Sequence, residues 1–566
     1  MTSRLPDPPR PLRSLRPTRP GRPPELRGRS QLWPPIPLDL PRYLAWLTKP
    51  VMPLVERFGK RVPRRGSRGY EPGDVLLPRG YEAEIVATGL SAPVMTTFGP
   101  DGAAYVVESG HKVDDPPRIK RVDLDTGAVT VHHTFDGTDW VRTGAVTGAA
   151  WHGGSLFITN TDRVVRIGPR GGVKAIVTGL PGRGDHQVNH PAVGPDGNIY
   201  FGVGSATNAG VVGSDNAAYG WLKDNPDAHD VPAQDVVLAG RNYDDRDVLG
   251  DLRQTVRTGA FVPFGTETIP GQIVRGNDKA SGAILRCHPD GSGLEVVAWG
   301  LRNPYGIAFT PDGRLVLTEH GMDNRSARQV VGDFDDLYVI DPAAPAHWYG
   351  WPDFASGIRL DDPRWGPGGQ GREPVLAEFP DPEPPPPLAS FPPHAAANGV
   401  AISPGRSFGF EGQAFVALFG DLAPITTPRL ATPVGYKVVR VDLDRGEIVD
   451  FAVNRIQGPA SKLPHDGFER PSHVTFGPDD TLYVTDFGEI DIAPEKAGIQ
   501  VQAGSGSLWR IRRVPGTPAG EQPPQPARVP FYVAQYLVWV AGLAGLVGGL
   551  VALVRWLFRG RGRPGR

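Results

Sequence analysis

At 566 residues, with 39% hydrophobic and 21% charged side chains, the chain holds enough apolar material for a large core, and its 73 Gly and 62 Pro demand many turns. A single cysteine, Cys287, excludes an intramolecular disulfide and any cysteine-based zinc or iron–sulfur cluster. The net charge of −1 is segregated: residues 1–70 carry +12, residues 555–566 carry +5 and the body between them −18, so most of the surface is a poor match for nucleic acid.

Residues 1–70 form a Pro/Arg-rich arm in which Pro34, Pro35, Pro37, Pro41, Pro50 and Pro53 break any long helix. The arm reads as disordered, with a short interfacial piece at Tyr43-Leu44-Ala45-Trp46-Leu47. No apolar stretch follows its first basic residues, so no secretory signal peptide is visible.

Residues 71–515 carry an internal repeat. Gly89, Gly300 and Gly467 are each followed by Pro at +4, Phe at +9 and a turn Pro at +11, the last opening Pro100-Asp101-Gly102, Pro311-Asp312-Gly313 and Pro478-Asp479-Asp480. A fourth copy runs through Pro195-Asp196-Gly197 to Tyr200, and weaker copies lie at 148–158 and 399–416. Each turn leads into a β-rich run such as Ala104-Tyr105-Val106-Val107. Six such units over this length predict an all-β, six-bladed propeller, with 205–280 and 355–392 as loops or insertions.

A Pro-rich linker, 516–530, leads to Phe531–Val554, a run of 24 residues without a charge. Flanked by Tyr532, Tyr536, Trp539 and Trp556 and closed by Arg555, Arg559 and Arg561, it predicts a single transmembrane helix followed by a basic cytoplasmic tail, 555–566. Ala541, Gly545 and Gly549 at i, i+4 spacing offer a face for dimerisation.

Equivalent positions of successive blades converge on the propeller axis. Nine residues before each turn Pro stand Ser91, His186, Arg302 and Glu469, and eight before stand Ala92, Gln187, Asn303 and Arg470. A rim holding an imidazole, two arginines and two amides suits an anionic ligand plus proton abstraction; it equally suits inter-blade salt bridges and a loop-capping histidine. Eight residues after the turn Pro come Glu108, Glu319 and Asp486, acids placed either to bond loop amides or to help hold a hard cation such as Ca2+. No His-Glu-x-x-His or Walker motif occurs.

Gly300-Leu301-Arg302-Asn303-Pro304-Tyr305-Gly306, Glu319-His320-Gly321 and Tyr349-Gly350-Trp351-Pro352, with Asp185-His186-Gln187 ahead of the Gly194-Pro195-Asp196-Gly197 turn, resemble the soluble pyrroloquinoline quinone (PQQ)-dependent glucose/sorbosone dehydrogenase family. The resemblance covers roughly residues 78–513. It implies PQQ and Ca2+ at the channel mouth and oxidation of an aldose or related alcohol by hydride transfer to the quinone. It casts His186 as general base, Arg302, Arg470, Asn303 and Gln187 as cofactor contacts, and the carbonyls of Gly321 and Met322 as Ca2+ ligands. Met322 stands where the family usually has proline. The expected electron acceptor is a membrane quinone or a cytochrome. By the positive-inside rule the tail is cytoplasmic and the propeller extracytoplasmic. Two other classes fit the same fold: a cofactor-free propeller that binds sugars or a protein, and a Ca2+-dependent lactonase.

Overall fold

The computed structural model describes residues 68–527, apart from 112–114, 138–144, 406, 429, 431 and 494–497. The basic arm up to residue 67, the interfacial piece at Tyr43–Leu47, the apolar run Phe531–Val554 and the basic tail lie outside the described residues. Among the described residues no helix is long and apolar enough to cross a membrane.

Six sheets, antiparallel but for one added edge strand, stand around one axis. Their innermost strands are Pro93–Phe98, Val146–His152, Val188–Val193, Pro304–Phe309, Ala397–Ile402 and Pro471–Phe476, one for each repeat unit. Each packs on the next and the sixth on the first, which closes the ring. The two weaker repeat copies are therefore blades two and five. Blade six takes its outermost strand, Tyr81–Leu90, from ahead of blade one, pairing it along Gly506–Arg513 so that both ends of the propeller are latched in one sheet.

The Pro-Asp-Gly turns join first and second strands for a local reason. The turn Asp accepts a hydrogen bond from the Tyr hydroxyl four residues on, at 3.2 Å for Asp101–Tyr105, 2.9 Å for Asp196–Tyr200 and 3.1 Å for Asp479–Tyr483. The next residue is left-handed, with φ 74° at Gly102 and 77° at Gly197; in blade six Asp480 adopts φ 58° without the help of glycine. Lower on the axis His190 and His473 meet at 5.1 Å between ring centroids. Glycine makes room for them: a Cβ on Gly399 would lie 2.3 Å from the His473 ring.

The two long stretches are structured. Residues 204–282, between the second and third strands of blade three, hold a short helix, Ser214–Tyr219, and the hairpin Asn242–Arg246/Thr255–Gly259. The second stretch includes the fourth strand of blade four, Ala389–Phe391, and the segment before that strand lends His347–Trp348 to the edge of blade three in parallel.

Candidate active site

The strand-end acids fix the rim. Glu108 Oε1 accepts the Ser91 N–H at 2.9 Å, Glu319 Oε1 accepts the Arg302 N–H at 2.7 Å, and Asp486 accepts those of Glu469 and Arg470 at 2.8 and 2.7 Å. Of the two roles open to them, they take the loop-amide one, and they set the loop before each inner strand in the same pose.

Those loops surround a cavity of about 1250 Å3. His186, Gln187, Arg302, Asn303 and Gly321 line it, together with Tyr305, His320 and His394. His186 Nδ1 lies 2.9 Å from the Ser205 carbonyl, which can only accept, so Nδ1 carries the proton and Nε2 the lone pair. Burial, then the charges of Arg302 and Arg325, depress its pKa well below the ordinary imidazole value. A neutral imidazole with its basic nitrogen defined is what proton abstraction requires.

Arg302 is committed within the protein. Its guanidinium makes five bonds: to the Asn208 carbonyl at 3.2 Å and side chain at 3.0 Å, to the His320 and Gly321 carbonyls at 3.4 and 2.7 Å, and to Asp323 at 2.9 Å. Asp323 continues the network to Arg325 at 3.0 Å, and Arg325 reaches Asp185 at 2.7 Å. Burial alone would raise the Asp323 pKa, but Arg302, His394 and Arg325 hold it well below the carboxylate range. Asn303 donates to His320 Nδ1 at 2.9 Å and accepts from Asn189 at 2.8 Å. The motifs read separately in the sequence are thus each other's partners: Glu319, His320 and Gly321 buttress Arg302 and Asn303, and Trp351 N–H donates to the Gly300 carbonyl at 2.7 Å.

Three sequence assignments change. Arg302 points its donors into the protein, so it shapes the site and has no N–H left for a cofactor carboxylate. Arg470 is not part of the lining; it lies behind the wall, donating to the Gly420 and Asp421 carbonyls at 3.0 and 3.1 Å between the rings of Phe419 and Tyr436. The Gly321 carbonyl faces the Arg302 guanidinium, an arrangement that does not fit a cation ligand; the burial of the Met322 side chain in the hydrophobic core bears on packing and leaves the role expected of the Met322 carbonyl as it stood. Among the described residues no group of three or more His, Cys, Asp or Glu is arranged to hold a metal.

Residues from the insertion went unread. Tyr219 and Trp221 line the cavity, Trp221 donates to Asp185 at 2.7 Å, and Arg325 sits 4.4 Å over the Tyr219 ring. They have no equivalent in other blades, so the repeat carries no signal for them. Asp323 and Arg325, two and four residues past Gly321, were the available hint.

Fold and site together define a propeller with a deep, histidine-containing cavity at one end of its axis. Residues 266–423 match the family model "Glucose / Sorbosone dehydrogenase", which agrees with the resemblance read from the motifs. Over 182 residues the chain is 28% identical to quinoprotein glucose dehydrogenase B of Acinetobacter calcoaceticus, a match spanning 32% of this chain and 28% of that relative's length. Similar solved structures include the PQQ domain of Coprinopsis cinerea pyranose dehydrogenase in its holo form (17% identity, 80% of this chain and 98% of that one, TM-score 0.49). The PQQ-bound aldose sugar dehydrogenase of Streptomyces coelicolor is another (18%, 77% and 99%, TM-score 0.44).

Proposed function

We propose that the protein is a PQQ-dependent oxidoreductase acting on a CH–OH group of a sugar or related alcohol, with His186 as the base. The observation that carries this reading is the fixed tautomer of His186 in a cavity large enough for a cofactor and a substrate together. Two residues lining that cavity carry donors suited to a planar, anionic quinone: Gln187 with its amide, and Arg183, whose Nε and Nη2 are engaged by Asp162 at 2.9 and 2.6 Å and whose Nη1 makes no bond among the described residues. When bound, PQQ supplies a two-electron acceptor for the hydride leaving the substrate carbon.

His186 takes the hydroxyl proton on Nε2, and the Ser205 carbonyl steadies the imidazolium through Nδ1–H. Asn303, locked by His320 and Asn189, holds its amide edge at the rim. Arg302 keeps the walls at fixed spacing by tying the 208 and 321–323 segments together. No step is routed through Ca2+, because the Gly321 carbonyl is already engaged by a cation. The apolar run Phe531–Val554 and its flanking arginines support anchoring to a membrane with the propeller outside, an electron acceptor in or at that membrane, and self-association through Ala541, Gly545 and Gly549.

The test is titration of the protein with PQQ, with and without Ca2+, followed by dye reduction with a panel of aldoses and alcohols. Binding with turnover that vanishes in His186→Ala is expected; binding with no turnover on any alcohol would leave a sugar- or partner-binding propeller. Protease digestion of intact cells tests sidedness, and a fully protected propeller would place it in the cytoplasm.

A further inference from the structure

The cavity has two unlike walls. On the side of blades two to four and the insertion it presents charged and polar groups, including Asp162, Arg183, Asp185 and His186. On the side of blades five and six it is predominantly apolar, presenting Phe419, Leu422, Ile425, Phe487, Ile490 and Ile499 with Asn398, Thr426 and Ser472 as polar residues from those blades. These come from two connections, the segment after the strand Ala414–Leu418 and the hairpin Ile490–Ala493/Gly498–Val501 that follows Leu482–Asp486. Phe419 and Phe487 pack edge to face at 5.4 Å, and Arg470 lies 5.1 Å over the Phe419 ring from behind. The wall is therefore backed by packed structure, and Leu422, Ile425 and Ile499 remain only partly covered by protein.

A free monosaccharide is apolar only on its small C–H faces and polar on its edges, so most of its hydroxyls pressed against this wall would leave water with few partners to gain. The opposite wall supplies donors, acceptors and the base. We infer that the substrate is amphipathic, an alcohol or sugar whose hydroxyl-bearing head sits at His186 and whose apolar chain lies along the blade five and six wall. This inference rests on the oxidoreductase reading for its head group, and on the wall alone for its tail.

The experiment measures binding separately from turnover. n-Butyl, n-hexyl and n-octyl β-glucosides, each below its micelle concentration, are titrated calorimetrically into the full-length protein without cofactor and again after loading with PQQ. Each added methylene is expected to lower Kd about fourfold, the equivalent of ~0.8 kcal/mol. Leu422→Gln and Ile499→Gln, at partly covered positions chosen so that the fold survives, are expected to flatten the series while leaving PQQ binding unchanged. A Kd that ignores chain length would overturn the inference, as would a chain-length gain that survives both substitutions. A gain that disappears on PQQ loading would overturn it too, since the wall would then be the bed of the cofactor. Dye reduction with 6-O-acyl glucoses, whose anomeric hydroxyl is free, reports on the oxidoreductase reading: no turnover with glucose or its esters would sink that reading and leave the binding series to judge the wall.

Discussion

Blade four carries Arg302 and blade six carries Arg470 one position apart in the repeat, and both are buried guanidiniums that donate to backbone carbonyls. Their surroundings differ. Arg302 has Asp323 at 2.9 Å and stands in the cavity wall; Arg470 makes no ion pair among the described residues and is clasped between Phe419 and Tyr436 outside the lining. The repeat sets Glu469 at the position of Arg302 and Asn303 at that of Arg470, so the two guanidiniums leave the rim one residue apart, and their partners come from connections that the repeat does not govern: the segment 321–325 and the insertion for Arg302, the 419–421 turn for Arg470. Neighbouring rim positions therefore give a charged network in one blade and a wall support in another.

The comparison is broken most sharply at the cavity itself. His186→Ala is expected to lower turnover of the PQQ-loaded protein by about 10²–10⁴ with the melting temperature and PQQ affinity kept; turnover within tenfold of the parent would move the base elsewhere. Because its pKa is depressed, the imidazole stays neutral below its ordinary value, so the acid limb of kcat/KM lies below pH 6.5. A limb at or above that pH contradicts the assigned environment. The same shift makes the unfolded chain bind more protons below pH 6.5, so this group's contribution to stability is lost as pH falls.

Arg302→Ala leaves Asp323 buried without its closest cation, the Gly321 and Asn208 acceptors empty, and is expected to cost about 3–5 kcal/mol in urea unfolding. Arg302→Lys should restore only part of this, since an ammonium cannot serve acceptors spread around a planar fork. Next in size is Glu319. Burial, with Asp333 as a like-charged neighbour, pushes its pKa up to about 8. The native state keeps a proton that the unfolded chain gives up near pH 4.5, so stability falls as pH rises from there through about 8. Glu319→Gln retains an oxygen for the Arg302 N–H and removes that slope, with a gain of about 1–3 kcal/mol at pH 8 and little at pH 5. An unchanged pH profile of urea midpoints would refute it. Smallest is Arg470→Met, about 1–2 kcal/mol, because two carbonyls lose donors but no carboxylate is stranded. A loss equal to that of Arg302→Ala would erase the distinction between the two blades.

The propeller was legible because its signal is local and repeated. A turn Asp that reaches a Tyr four residues on, and a glycine or Asp480 in the left-handed region, can be read from a few adjacent residues. His186, Gln187, Arg302 and Asn303 were found by register alone, and the structure gathers them in one cavity. Arg470 was misplaced for the same reason: register places a backbone, and the orientation of a long side chain depends on which carbonyls and rings lie nearby. The Gly321 carbonyl was assigned to a cation by resemblance, and it is the Arg302 guanidinium that it meets. Tyr219, Trp221, Leu422, Ile425, Ile490 and Ile499 lie in connections that differ from blade to blade, so no comparison within the chain could expose them; Phe419 and Phe487 do stand at the repeat position of Ser109 and His320, where register gives the place and not the residue type.

By itself, the chain of 566 residues determined a six-fold all-β ring, a charge-segregated layout and the positions from which a site would be built, since turns and strand periodicity act over a few residues. Only the tertiary structure decided which nitrogen of His186 is basic, that Arg302 is spent on the protein, and that one side of the cavity is predominantly apolar. Those outcomes depend on groups brought together from distant parts of the chain, where burial and mutual hydrogen bonding, rather than local sequence, set what each side chain can do.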